Sequence, residues 1–188
     1  MHRVFFGLEV PLSTKQRLLT VQTEINGARW QSLNQLHLTL AFIGSVEDGA
    51  LTTLRNAASR VTAPAFELEV QGLGVFGKPE RPRNLWAGVS PERPVVELHD
   101  RLMNALLQEG FNLEKRRFRP HITVSRFRRN AGPVASLLEA YGSTGFGTMA
   151  VTEFVLYEST QGAGGSVYTV LDRFPLITSL DETGPSDQ

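Results

Sequence analysis

The chain has 188 residues, 41% of them hydrophobic and 20% charged, enough to bury a sizeable core without a covalent staple. Lys plus Arg total 19 and Asp plus Glu total 19, so bulk charge points to neither a nucleic acid nor a membrane partner. Cysteine is absent, which excludes disulfides and Cys-ligated zinc or iron–sulfur sites, and no apolar run approaches the roughly 20 residues of a membrane span.

In chain order, residues 3–10 (RVFFGLEV) are β-branched and aromatic and predict a strand, stopped by Pro11. Residues 12–25 follow, with Ser13 or Thr14 able to cap a helix whose apolar face is Leu18, Leu19, Val21 and Ile25. Residues 36–44 (LHLTLAFIG) predict a strand ended by Gly44. Residues 48–62 predict a helix with Leu51, Leu54, Ala58 and Val61 at helical spacing. Residues 66–76 alternate as a strand, 77–83 (GKPERPR) read as a Pro- and Arg-rich loop, and 84–90 (NLWAGVS) as another strand. A strong amphipathic helix occupies 95–110 and stops at Gly110. Residues 119–127 (RPHITVSRF) predict a strand and 132–142 a short helix. Residues 149–159 and 166–176 predict two strands about a Gly-rich turn. The polar residues 179–188 are expected to be a disordered tail, leaving 1–178 as one domain. Strands and helices mix without regular βαβ alternation, which predicts an α+β fold with antiparallel sheets. The N-terminus MHRVFFGLEVP lacks the layout of a secretory leader, so a cytoplasmic protein is expected.

Residues 37–40 (HLTL) and 121–124 (HITV) repeat one frame in a chain with only four histidines. Side chains alternate along a strand. His37 therefore shares a face with Thr39, and His121 with Thr123, while Leu38, Leu40, Ile122 and Val124 turn the other way. Two similar lobes facing each other across a cleft would bring two imidazoles and two hydroxyls together. One imidazole could take a proton from water while the other protonates a leaving oxygen, since the unperturbed pKa is about 6.5. Threonine hydroxyls can donate to non-bridging phosphate oxygens. Such a set suits phosphoryl transfer without a metal. A single His-x-Thr reads equally as a satisfied histidine beside a strand threonine, and two copies in like contexts weigh against that reading. Residues 115–129 are dense in Lys and Arg and hold no acid, which suits a phosphate-bearing ligand, although a solvated face gives the same pattern. Neither motif has an acidic or cysteine co-ligand close by, so no metal and no cofactor are expected. Phe5 and Phe42 are candidates to stack on a nucleobase, against a core role for each. Trp86 is expected in the core. His99 is expected at a helix surface, and neither it nor His2 takes a role.

Five fragments, RVFFGLEVP, LHLTLAFIG, RPRNLWAGV, FRPHITVSR and FVLYEST…YTVLDRFPL, stand in order over roughly residues 3–177. Together they resemble the 2H phosphoesterase superfamily, named for two H-x-T/S-x motifs. More closely the chain resembles the bacterial and archaeal RNA 2′,3′-cyclic phosphodiesterases, formerly called 2′-5′ RNA ligases. The resemblance implies a bilobal, pseudo-two-fold α+β fold, with two antiparallel sheets facing a central cleft and helices on the outside. It implies metal-independent opening of an RNA 2′,3′-cyclic phosphate to a 2′-phosphate, with a reversible ability to join RNA ends through a 2′,5′ linkage. His37 with Thr39 and His121 with Thr123 match the two motifs, with His37 as proton donor and His121 as proton acceptor. Arg126 matches the arginine that commonly follows the second motif. Strict alternation sets Arg126 on the face opposite His121, so it needs a bulge or a strand end to reach the cleft. Arg119, Arg126 and Arg128 crowd the second motif, and nearby positive charge favours a neutral imidazole, in keeping with His121 as base. The implied partner is an RNA with a 2′,3′-cyclic phosphate end, bound by a monomer. A small cyclic nucleotide, a cyclic phosphate of an ADP-ribose derivative and a 2′,5′-oligonucleotide are alternative substrates for the same motifs. A non-catalytic RNA-binding module is the non-enzymatic alternative.

Overall fold

A computed structural model describes residues 1–114 and 116–178, so the tail expected at 179–188 lies outside the described residues. β1 (His2–Glu9) ends just before Pro11, which has no N–H to give a ladder, and α1 (Leu12–Leu19) starts directly after it. α1 is shorter than its pattern suggests. It closes at Thr20, and Val21 and Ile25 join the core from the segment that follows. β2 (Ala28–Trp30) and a 3₁₀ turn at Leu33–Gln35 lead into β3 (His37–Val46). α2 (Asp48–Ser59) buries Leu51, Leu54, Ala57 and Ala58. β4 (Phe66–Lys78) and β5 (Arg81–Ser90) form a hairpin, so most of the loop expected at 77–83 is strand. Gly77 pairs with Pro82 and Lys78 with Arg81, after a register shift at Gly77, whose φ is +93°. A bulge of this kind lets glycine and proline stay within a ladder. α3 (Arg93–Gln108) buries Val95, Leu98, Leu102 and Leu106 along one stripe, each stabilising the fold by about 1.5–3 kcal/mol. β6 (Ile122–Phe127), α4 (Ala135–Tyr141), β7 (Gly145–Val151), β8 (Glu153–Gly162) and β9 (Gly165–Pro175) complete the described chain. The strand expected at 149–159 is two strands. Thr152 separates β7, which pairs with β4, from β8, which pairs with β1. Local alternation carries no sign of such a change of partner.

The strands run β7-β4-β5-β6-β3-β1-β8-β9, with β2 also on β6. The order divides into two halves, β6-β5-β4-β7 and β3-β1-β8-β9, joined by one register pair, Leu38 with Ile122. A pseudo-two-fold relates the halves about that pair, β3 to β6, β1 to β5 and β8 to β4. The two antiparallel halves expected from the sequence are therefore present. The motif strands are neighbours at the seam of one continuous sheet, not opposite walls. Leu38, Leu40, Ile122 and Val124 are buried in one core cluster with Leu54 of α2 and Leu98 and Leu102 of α3. α2 and α3 thus cover the sheet face turned away from the motif histidines and threonines. Among the described residues no helix is long and apolar enough to cross a membrane.

Candidate active site

β3 and β6 run antiparallel through Leu38 and Ile122, both 0% exposed. Continuing that register by one residue each way sets His37 across from Thr123 and Thr39 across from His121. All four side chains are half-buried, on the face opposite the core. His37 and His121 are then diagonal neighbours, about 7–8 Å apart by the usual strand spacing, close enough to bracket one phosphate group.

Both imidazoles are held in the same way. His37 donates from Nδ1 to the Gln35 carbonyl at 2.7 Å, and His121 donates from Nδ1 to the Arg119 carbonyl at 2.7 Å. A carbonyl can only accept, so each neutral ring carries its proton on Nδ1 and keeps a lone pair on Nε2. Thr39 donates to His37 Nε2 at 2.9 Å. Each ring also sits among aromatics. His37 lies 4.9 Å from the Phe5 ring, 5.0 Å from Tyr168 and 5.7 Å from Tyr157. His121 lies 4.9 Å from Phe76, edge to face, and 6.1 Å from Trp86. Burial is the main force holding both imidazoles neutral. It pushes His37 down to about 4, with Arg126, His121 and Lys15 adding repulsion, and lowers His121 with help from Arg126 and Arg119. Positive charge therefore acts on both motifs, and the crowding of arginines around His121 does not by itself separate base from acid.

A β-bulge brings Arg126 to the histidines. β6 pairs Ser125 with Leu85 and then Thr123 with Trp86, leaving Val124 as the extra residue. Val124 and Ser125 are both buried, so alternation resets and Arg126 comes round to the face of His121 and Thr123. Its charge acts on both imidazoles. β3 repeats the device: Ala41 pairs with Phe6 and Thr39 with Gly7, and Leu40 and Ala41 are both buried. Phe42 is the counterpart of Arg126. It is 52% exposed, with the Arg3 guanidinium 4.8 Å above its ring. Phe5 is 4% exposed and packs under His37 and Tyr157, which leaves it no open face for a base.

Trp86, expected in the core, is half-buried beside His121, with the Arg119 guanidinium 5.7 Å from its ring. Asn84, Phe76, Tyr157 and Tyr168 touch the motif side chains and were missed by sequence reasoning. Asn84, Tyr157 and Tyr168 lay inside fragments that carried the family resemblance, but their partners are set by strand pairing far along the chain. A cavity of 390 Å³ opens beside His37, lined by Lys15, Asn34, Tyr157, Ser166 and Tyr168 among others. A groove of 970 Å³ opens beside His121, with Thr39, Phe42, Met103, Phe118 and Arg119 in its walls. His99 is half-buried, not at the surface. Its Nδ1 donates to the Leu40 carbonyl at 2.7 Å, and its ring stacks on Phe118 at 4.0 Å, tying α3 to the bulge of β3. His2 bridges Asp48 and Glu158, far from the motifs in the fold's ladder. Among the described residues no group of three or more His, Cys, Asp or Glu side chains is arranged to hold a metal.

Residues 16–163 match the family model described as the 2′-5′ RNA ligase superfamily. The chain is 31% identical over 175 residues to the RNA 2′,3′-cyclic phosphodiesterase of Archaeoglobus fulgidus, covering 92% of this chain and 99% of that one. It is 30% identical over 179 residues to the Escherichia coli protein of the same name, covering 93% and 96%. The crystal structure of E. coli LigT complexed with 3′-AMP superposes with a TM-score of 0.79 at 28% identity, covering 93% of this chain and 98% of that one.

Proposed function

The chain belongs to the 2′-5′ RNA ligase superfamily, and from that premise we propose that it is an RNA 2′,3′-cyclic phosphodiesterase that forms a terminal 2′-phosphate. The observation that carries the reading is the seam. Two imidazoles with matched tautomers, two threonine hydroxyls and one arginine stand together on one face of adjacent strands. The cyclic phosphate lies between the histidines. His121 Nε2 takes a proton from water as the water oxygen bonds to phosphorus. The bond from phosphorus to the 3′-oxygen breaks, and His37 Nε2 delivers a proton to that oxygen. In-line displacement puts entering and leaving oxygens on opposite sides of phosphorus, which is why two imidazoles are needed. The Thr123 and Thr39 hydroxyls and the Arg126 guanidinium face the non-bridging oxygens, whose charge must be stabilised. The His37 ring, pushed down to about 4 by burial, enters the reaction protonated only because the bound phosphate anion raises its pKa. A 5′-hydroxyl in the place of water joins two RNA ends through a 2′,5′ linkage by the same proton transfers. The protein acts as a cytoplasmic monomer without a metal or cofactor, and residues 1–178 work as one catalytic domain.

The test is a product analysis. RNA ending in a 2′,3′-cyclic phosphate is incubated with the protein in EDTA, and the phosphate position is identified. A 2′-phosphate is expected, at higher kcat/KM than on a small cyclic nucleotide or an ADP-ribose cyclic phosphate. A 3′-phosphate product, or activity restored only by divalent metal, overturns the reading.

A further inference from the structure

We infer that Asn84 is a positioning residue that commits the Thr123 hydroxyl to the substrate phosphate, an inference that rests on the proposed phosphodiester chemistry for the identity of that ligand. Asn84 lies on β5, paired in register with Arg126, and its Nδ2 donates to Thr123 Oγ1 at 3.1 Å. A hydroxyl that accepts from an amide still owns its hydrogen. With one lone-pair direction filled by Asn84, the O–H of Thr123 is left to point out into the site. Thr39 is placed differently, because its hydrogen is already given to His37 Nε2 at 2.9 Å. While His37 is neutral, one motif threonine has a spare donor and the other does not.

The pseudo-two-fold shows that this asymmetry is not a demand of the fold. Phe5 pairs with Phe42 as Asn84 pairs with Arg126, so Phe5 is the residue related to Asn84. An aromatic ring occupies the equivalent place in the other half, and packing there does not call for an amide. The amide also carries a cost. Asn84 Oδ1 is buried with no hydrogen-bond partner among the described residues, and buried polar groups are normally satisfied. Keeping a side chain with an orphan oxygen makes physical sense where the donor on the same amide has a task. That task is to orient the Thr123 donor, which stands ready for phosphate while the Thr39 hydrogen is still held by the neutral His37 ring.

Inorganic phosphate is the probe, with binding followed through the ring resonances of His37 and His121 in NMR titrations. The proteins compared are wild type, Asn84→Leu, Thr123→Val and the double variant. Asn84→Leu is expected to weaken phosphate binding about fivefold to tenfold, the effect of one lost hydrogen bond. Its thermal stability is expected to be unchanged or higher, because the orphan oxygen is gone. In the Thr123→Val background the same substitution should change phosphate affinity by less than about twofold, as coupling through one shared group requires. Equal weakening in both backgrounds, or none in either, overturns the proposal. Asn84→Ser carries the same binding expectation and replaces Asn84→Leu if the leucine variant does not fold. If wild type binds phosphate with this coupling and yet leaves RNA cyclic phosphate intact, the phosphodiesterase reading falls while the role of Asn84 stands.

Discussion

Burial holds the His37 ring neutral, so the folded state loses stability at pH values where a free imidazole would take up a proton. Its pKa is about 4 in the folded protein against the usual 6.5, so between those values the unfolded chain binds the extra proton. Stability contributed by the neutral ring is complete above pH 6.5 and falls as pH drops toward 4, by up to about 3 kcal/mol. Thermal melts from pH 7 to 4.5 should show the loss, and His37→Gln, which does not titrate, should flatten the curve. An identical slope in the variant sinks this assignment of the burial cost. The division of labour is tested with a substrate whose 3′-oxygen is replaced by a better leaving group, which needs little protonation. It should rescue His37→Ala much more than His121→Ala, and preferential rescue of His121→Ala reverses the roles. At this scale the sequence was legible where chemistry repeats in a short frame. His37, Thr39, His121 and Thr123 announced themselves by type and spacing. Asn84 and Tyr168 could not, because a lone asparagine or tyrosine in a strand becomes a site residue only through partners on other strands.

Strands β3 and β6 carry the candidate site because each combines a motif with a bulge. Without the extra residue at Val124, Arg126 would face the core side with Ile122. The alternation rule is legible in sequence and predicted the wrong face for Arg126, and the single residue that corrects it leaves no pattern of its own. The same limit explains Phe42, exposed through the matching bulge of β3, and the hidden break between β7 and β8. Since Arg126 lowers the pKa of both histidines, Arg126→Ala should raise both, and NMR titration of the two rings reads this directly. The same variant should lose about a hundredfold in kcat/KM, as expected when a donor to the developing phosphate charge is removed. Unmoved histidine titrations would place the guanidinium outside the site despite the bulge.

The molecule as a whole is electrically balanced, with 19 basic and 19 acidic residues, so attraction for RNA has to come from where the charges sit. The two halves of the sheet meet at the histidines, and the groove on the second side carries Arg117 and Arg119 in its wall. Arg116 lines it too, but pairs with Glu114 at 3.0 Å, and Lys115 lies outside the described residues. Arg126 adds a third cation where the groove reaches the motifs. The aromatic cluster of Phe5, Tyr157 and Tyr168 makes the first side different in kind, a packed wall in place of a charged one. An RNA end that lays its phosphates along Arg117, Arg119 and Arg126 displaces condensed counterions from each. For a single strand, three such contacts predict that log K falls with log salt at a slope of about −2. Fluorescence anisotropy with an RNA whose end resists hydrolysis measures this slope. The double substitution Arg117→Ala with Arg119→Ala should flatten it by about 1.4, while leaving the pKa of His37 in place, because neither residue acts on that ring. A slope that stays steep in the double variant means that the RNA runs elsewhere. A slope near zero in the wild type means that the groove does not carry the phosphate backbone at all.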